Sequence, residues 1–177
     1  TRYNGFQYQL KVPTIQKELE NAITKFTGEN LRIRGASRTD SGVHAQGQVV
    51  DFCTVKDYPQ ETWIRALNYY LPWDVKIKES YRVPSEFHAR RSAVGRIYRY
   101  TILNSETTSP LMYHRCAWVR NQLCLKAMAD ASRDLIGVYD FSPLSGVLPP
   151  NTKGVRHVRR WDVWREGDMV LIEAEAN

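Results

Sequence analysis

Hydrophobic and polar positions recur along this chain in two periods. Ile15, Leu19, Ala22, Ile23 and Phe26 share one side of a 3.6-residue repeat. They predict a helix over residues 14–26, with Thr14 able to cap its start and Gly28 to close its end. Residues 60–70 predict a second helix, stopped by Pro72. Residues 123–136 predict a third, with Leu125, Met128, Ala129, Ser132, Leu135 and Ile136 on one side and Gly137 placed to close it. A two-residue period marks strands over residues 31–37, 44–53, 74–83 and 95–103. Residues 155–165 and 169–176 pair as a hairpin across Glu166-Gly167-Asp168.

The order is helix, strand, strand, helix, strand, followed by strand, helix, strand, strand. Overlaid, the two halves predict an α+β protein built from two copies of a ferredoxin-like βαββαβ unit. The first copy lacks its opening strand and the second its closing helix and strand, so the expectation is a fragment clipped at both ends. The absence of an initiator Met points the same way.

Composition narrows the class. The chain has 177 residues, 42% of them hydrophobic and 25% charged, a balance that suits a globular protein. It has no apolar run near the ~20 residues that span a bilayer, and its start does not read as a leader. Cys53, Cys116 and Cys124 are odd in number and lack metal-ligand spacing. That argues against a disulfide framework or zinc ribbon and for a reducing cytoplasm. The net charge of +6 is carried by clusters at Arg32/Arg34/Arg38, Arg90/Arg91/Arg96/Arg99 and Lys153/Arg156/Arg159/Arg160. These read either as contacts to a polyanion or as solvated strand faces.

Chemistry is most concentrated between the first two strands, where Thr39-Asp40-Ser41-Gly42 is turn chemistry. A carboxylate projected from such a turn, with Arg38 two residues earlier, reads as a nucleophile kept ionised by a neighbouring cation. The bland reading is an Asx-turn. A metal-dependent nuclease using Asp40, His44 and Asp51 is a third, remote possibility.

The segment Arg38-Thr39-Asp40-Ser41-Gly42-Val43-His44-Ala45 closely resembles the R-T-D-x-G-V-H-A signature of the bacterial tRNA pseudouridine synthase A family. Further segments match in the same order: residues 1–9 resemble T-x-Y-x-G-F-Q-x-Q, Phe87-His88-Ala89-Arg90 resembles F-x-A-R, and Arg96-Ile97-Tyr98-Arg99-Tyr100 resembles x-x-Y-x-Y. Thr14-Ile15-Gln16, Tyr139-Asp140-Phe141 and residues 170–177 complete the series, so the resemblance covers essentially the whole chain.

The resemblance implies a pseudouridine synthase fold, in which two ferredoxin-like halves share a largely antiparallel mixed sheet flanked by helices, with a central RNA-binding cleft. It divides the chain into an N-terminal half over residues 1–90 and an incomplete C-terminal half over residues 91–177, forming one continuous catalytic domain. It implies an isomerase that converts uridine to pseudouridine in the tRNA anticodon stem-loop, at about positions 38 to 40, with no cofactor and no metal. Asp40 takes the catalytic role, Arg38 the base-flipping role and Tyr98 the substrate-binding role. Phe87, His88, Ala89, Arg90 and Arg91, with Leu148, Pro149, Pro150, Asn151 and Thr152, fall where relatives touch tRNA. A homodimer without membrane association is implied. So is a C-terminal helix with a further active-site arginine, which would follow Asn177. The competing expectation is a tRNA-binding or folding module without catalysis.

Overall fold

A computed structural model describes residues 2–144 and 154–177. The chain forms two compact units, Thr1–Ala93 and Val94–Asn177.

The first unit is organised by two helices. Helix α1 (Ile15–Thr27) starts where Thr14, in extended backbone, accepts the Lys17 N–H, and it ends on left-handed Gly28 at φ 77°. Its remaining first-turn amides are also satisfied: Ile15 N–H donates to Gly5 O at 3.2 Å, and Gln16 N–H to Phe6 O at 2.9 Å. Few orphan donors are left at this end, so the helix start and the N-terminal segment fix one another. Helix α2 (Gln60–Tyr70) buries Trp63 and Leu67. Phe6, Leu19, Ala22, Ile23, Ile33, Trp63, Leu67 and Leu71 form the core. Phe26 meets Trp63 edge-on, with centroids 5.1 Å apart.

Strands in this unit are much shorter than alternation predicts. Only β1 (Arg34–Gly35) and β2 (Val50–Asp51) pair, antiparallel, with Arg34 opposite Asp51. Residues 74–83 form no strand. Val75 and Ile77 still pack against the core, but the main chain of Ile77 is held by the Asn68 side chain at 2.8 and 2.9 Å. Alternation therefore reported burial correctly there, while the backbone found an amide side chain in place of a neighbouring strand.

The second unit is a mixed sheet in the order β4-β3-β7-β6-β5. Its strands are β3 (Arg96–Asn104), β4 (Ala117–Val119), β5 (Gly137–Asp140), β6 (Val155–Glu166) and β7 (Met169–Ala176). β3 runs parallel to β4, and the other pairings are antiparallel. The predicted β6–β7 hairpin is present, with Glu166 opposite Met169 and Gly167 at φ 58°. Helix α3 (Leu125–Arg133) stops short of Ile136, and Gly137, expected to close it, is instead the first residue of β5. The short strands β4 and β5 carry too little alternation to be read from sequence. Buried Asn104 ties the end of β3 to its surroundings: its Nδ2 donates to Val119 O and Asn121 O, and its Oδ1 accepts from Leu123 N–H and Arg165.

The class is α+β, as expected, with ladders resolving into a two-stranded and a five-stranded sheet.

Candidate active site

The loop between β1 and β2 carries Arg38 and Asp40, and both side chains are exposed. Its turn is closed through the main chain, where Val43 N–H donates to Asp40 O at 3.2 Å and Gly42 adopts φ 84°. Among the described residues the Asp40 carboxylate accepts no hydrogen bond and forms no ion pair with Arg38. An Asx-turn would occupy that carboxylate. Here the backbone forms the turn and leaves the side chain available.

The N-terminal segment grips this turn. Phe6 N–H donates to Thr39 O at 2.9 Å, and Ser41 Oγ donates to Tyr3 O at 3.2 Å. Gly5, at φ 82°, lies so close that a Cβ there would sit 2.6 Å from Thr39 O and 3.2 Å from the Asp40 carbonyl carbon. Only glycine combines that backbone angle with that approach. Tyr3 is buried, and its hydroxyl donates to Asp74 Oδ1 at 2.8 Å while accepting from Arg2 at 2.8 Å. Burial raises its phenol above the ordinary value, the Arg2 hydrogen bond opposing and the Asp74 bond reinforcing.

The 87–91 segment is fastened to the same unit by Asp51. This buried carboxylate pairs with Arg34 through Oδ2, and Oδ1 accepts the Ala89 N–H at 2.8 Å. Both oxygens of Asp51 are thus engaged within this unit. Ala89 is itself buried, whereas Arg90 and Arg91 are exposed. His88 shapes the local turn: its carbonyl accepts Ser92 N–H at 2.8 Å and its Nδ1 accepts Arg90 N–H at 3.2 Å. Phe87 is half-buried.

Tyr98 lies in the second unit, on β3 opposite Ala174. It is 55% exposed, and Tyr100, two residues on along the same strand, is 58% exposed. Ala129, Ser132 and Arg133 of α3 line a cavity with Arg99, Asp162 and Glu173, so α3 covers the face that bears Arg99. Tyr98, one residue before Arg99, alternates to the opposite face. On the helix side Glu173 accepts from Arg160 at 2.6 Å and from Arg99 at 2.7 Å, and these bonds hold its carboxyl below the ordinary glutamate value. Leu148, Pro149, Pro150, Asn151 and Thr152 lie outside the described residues.

Sequence reasoning gave no role to Tyr3 or Gly5 as supports of this loop, nor to Asp51 as the anchor of the 87–91 segment. Gly5 and Tyr3 were visible only as motif letters.

Residues 1–90 match the profile of a family described as tRNA pseudouridine synthase. A tRNA pseudouridine synthase A of Francisella tularensis is 34% identical over 175 residues, covering 99% of this chain and 68% of the relative. Enzymes of the same name from Ruminiclostridium cellulolyticum and a Thermoanaerobacter species are 39% and 40% identical, with this whole chain covering 73% and 72% of them.

Proposed function

The chain belongs to the tRNA pseudouridine synthase family, and from that premise we propose that it isomerises uridine to pseudouridine in tRNA with Asp40 as the catalytic carboxylate. The observation that carries this reading is the exposed Asp40 side chain, unengaged among the described residues, on a turn held by main-chain and hydroxyl contacts within itself and to the N-terminal segment. A nucleophile or proton acceptor needs both properties: a fixed backbone and free oxygens.

The reaction breaks the bond between N1 of uracil and the ribose, turns the base, and joins C5 to the same sugar carbon. The proton on C5 leaves and N1 gains one, so no oxidant, reductant or group donor is consumed. A stem base must first leave its stack. Arg38, exposed beside Asp40 in sequence, is assigned to fill the vacated position with its planar guanidinium. Tyr98 is assigned to stack on the flipped uracil, and its hydroxyl to assist proton transfer from C5. The Phe87–Arg91 segment is assigned to tRNA contact, with Arg90 and Arg91 reaching phosphates and Ala89 serving as the buried anchor. Leu148 to Thr152 are assigned to the same contact.

The substrate site is the anticodon arm, at about positions 38 to 40 of the tRNA, and the working form is a cytoplasmic homodimer whose halves 1–90 and 91–177 act as one catalytic domain. Release of tritium from C5-labelled uridine in a tRNA transcript tests the reaction. Asp40→Ala is expected to abolish release while tRNA affinity stays within about threefold. Undiminished turnover in that variant removes Asp40 from the role, and tRNA binding without any turnover in the unaltered chain favours the non-catalytic module.

A further inference from the structure

The loop bearing Arg38 and Asp40 leaves the β1–β2 ladder at Ala36, whose N–H donates to Val49 O at 2.9 Å. The next rung is made by a side chain. Gln48 Oε1 accepts the Ser37 N–H at 3.3 Å, and Gln48 Nε2 donates to Ser37 O at 2.9 Å. One amide thus takes both main-chain polar groups of Ser37 and joins the entrance of the loop to its exit. The other contacts of the loop, to Phe6 and Tyr3, hold only Thr39 and Ser41.

We propose that Gln48 is a positioning residue that fixes the entry angle of the segment carrying Arg38 and Asp40. The inference rests on Asp40 being the catalytic carboxylate. Arg38 follows the clamped Ser37 directly, and Asp40 is three residues on, so any rotation about Ser37 is passed to both. The task demands an amide. Glutamine presents a donor and an acceptor in one plane, glutamate lacks the donor, and an aliphatic chain lacks both. Catalytic groups tolerate little error, and a displacement of about 1 Å is worth on the order of a hundredfold in rate.

The same unit contains a matched control. Asn68 clamps Ile77 in the same two-bond manner, Oδ1 accepting from Ile77 N–H at 2.8 Å and Nδ2 donating to Ile77 O at 2.9 Å. That clamp holds Ile77 and, among the described residues, makes no hydrogen bond to the Asp40 loop.

The test compares kcat, KM for tRNA and melting temperature in the unaltered chain, Gln48→Ala, Gln48→Glu and Asn68→Ala, with tritium release as the readout. Gln48→Ala is expected to lose about 10- to 100-fold in kcat with KM within about threefold. Gln48→Glu loses in the same direction, because its carboxylate meets Ser37 O without a proton, and it carries the kinetic test if Gln48→Ala fails to fold. Asn68→Ala keeps kcat within about twofold despite a comparable drop in melting temperature. Amide exchange at Ser37 and Val43 accelerates in the Gln48 variants and not in Asn68→Ala. If kcat in the Gln48 variants stays within twofold, or Asn68→Ala loses as much as they do, the positioning role is overturned. Undiminished turnover in Asp40→Ala instead overturns the assignment of Asp40 on which the role depends.

Discussion

Gly5 lies against the peptide of Asp40: a Cβ on Gly5 would stand 3.2 Å from the Asp40 carbonyl carbon and 2.6 Å from Thr39 O. The Asp40 turn is therefore shaped from outside as well as by its own residues. The hydrogen bonds from Phe6 N–H and Ser41 Oγ flank that contact.

Gly5→Ala is expected to destabilise the chain by about 1–3 kcal/mol from the left-handed backbone alone, and further by the clash with a peptide oxygen. Gly42→Ala supplies the contrast. Gly42 has a similar φ of 84° but open space around its Cβ position, so it loses only the conformational part. Urea unfolding midpoints separate the two, and equal losses would show that the contact at Gly5 contributes nothing. Turnover falls at least about tenfold in Gly5→Ala, because the displaced peptide is that of Asp40.

Asp51 holds the 87–91 segment by accepting the buried Ala89 N–H at 2.8 Å while pairing with Arg34. Asp51→Ala leaves that amide unsatisfied and is expected to cost about 2–3 kcal/mol, whereas Asp51→Asn keeps an acceptor and loses less. Denaturant unfolding gives the ranking. Faster amide exchange at Ala89 in the alanine variant checks that the loss is local to this segment.

Exposed Arg90 and Arg91 are assigned to phosphates. Replacing each by Ala should weaken tRNA binding regardless of sequence context and lower the slope of log affinity against log salt by about 1 per residue. Binding titrations at several salt concentrations read the slope directly. An unchanged slope in the double variant moves the contact elsewhere.

Glu173 carries the pH prediction. Hydrogen bonds first from Arg160 and then from Arg99 hold its carboxyl below the ordinary glutamate value. The folded group is thus the stronger acid. Its contribution is complete above the unfolded value of about 4.3 and is lost as pH falls through the lower folded value. Glu173→Gln should flatten the acid limb of the melting-temperature profile below about pH 4.3 and lower stability near neutrality. Parallel acid limbs in the two proteins would contradict this.

Several features were legible before any coordinates. The spacing of Ile15, Leu19, Ala22 and Ile23, framed by Thr14 and Gly28, defined α1 to within a residue at each end. Residues 60–70 did the same for α2, and Gly167 announced the β6–β7 turn. The string around Asp40 named the turn and, with the segments that match in order beside it, the family. Less was legible for residues 31–37, 44–53 and 74–83, whose alternation promised long strands. Leu31, Ile33, Val50, Phe52, Val75 and Ile77 did reach the core, but among the described residues the ladder is confined to Arg34–Gly35 and Val50–Asp51, with one further bond from Ala36 N–H to Val49 O.

The division follows from the reach of the bonds involved. A helix or tight turn closes hydrogen bonds within a few residues, so its signals lie inside the window that forms it, and the sequence alone determined α1, α2 and the hairpin. A ladder bond, a glycine pressed on a distant peptide and a buried carboxylate shared by Arg34 and Ala89 depend on residues far apart in the chain. Tertiary structure alone decided that Gly5 rests on Asp40, that Gln48 closes on Ser37, and that Asp51 anchors the segment beside it. Among the described residues those contacts leave the Asp40 carboxylate unengaged on a turn whose backbone is held.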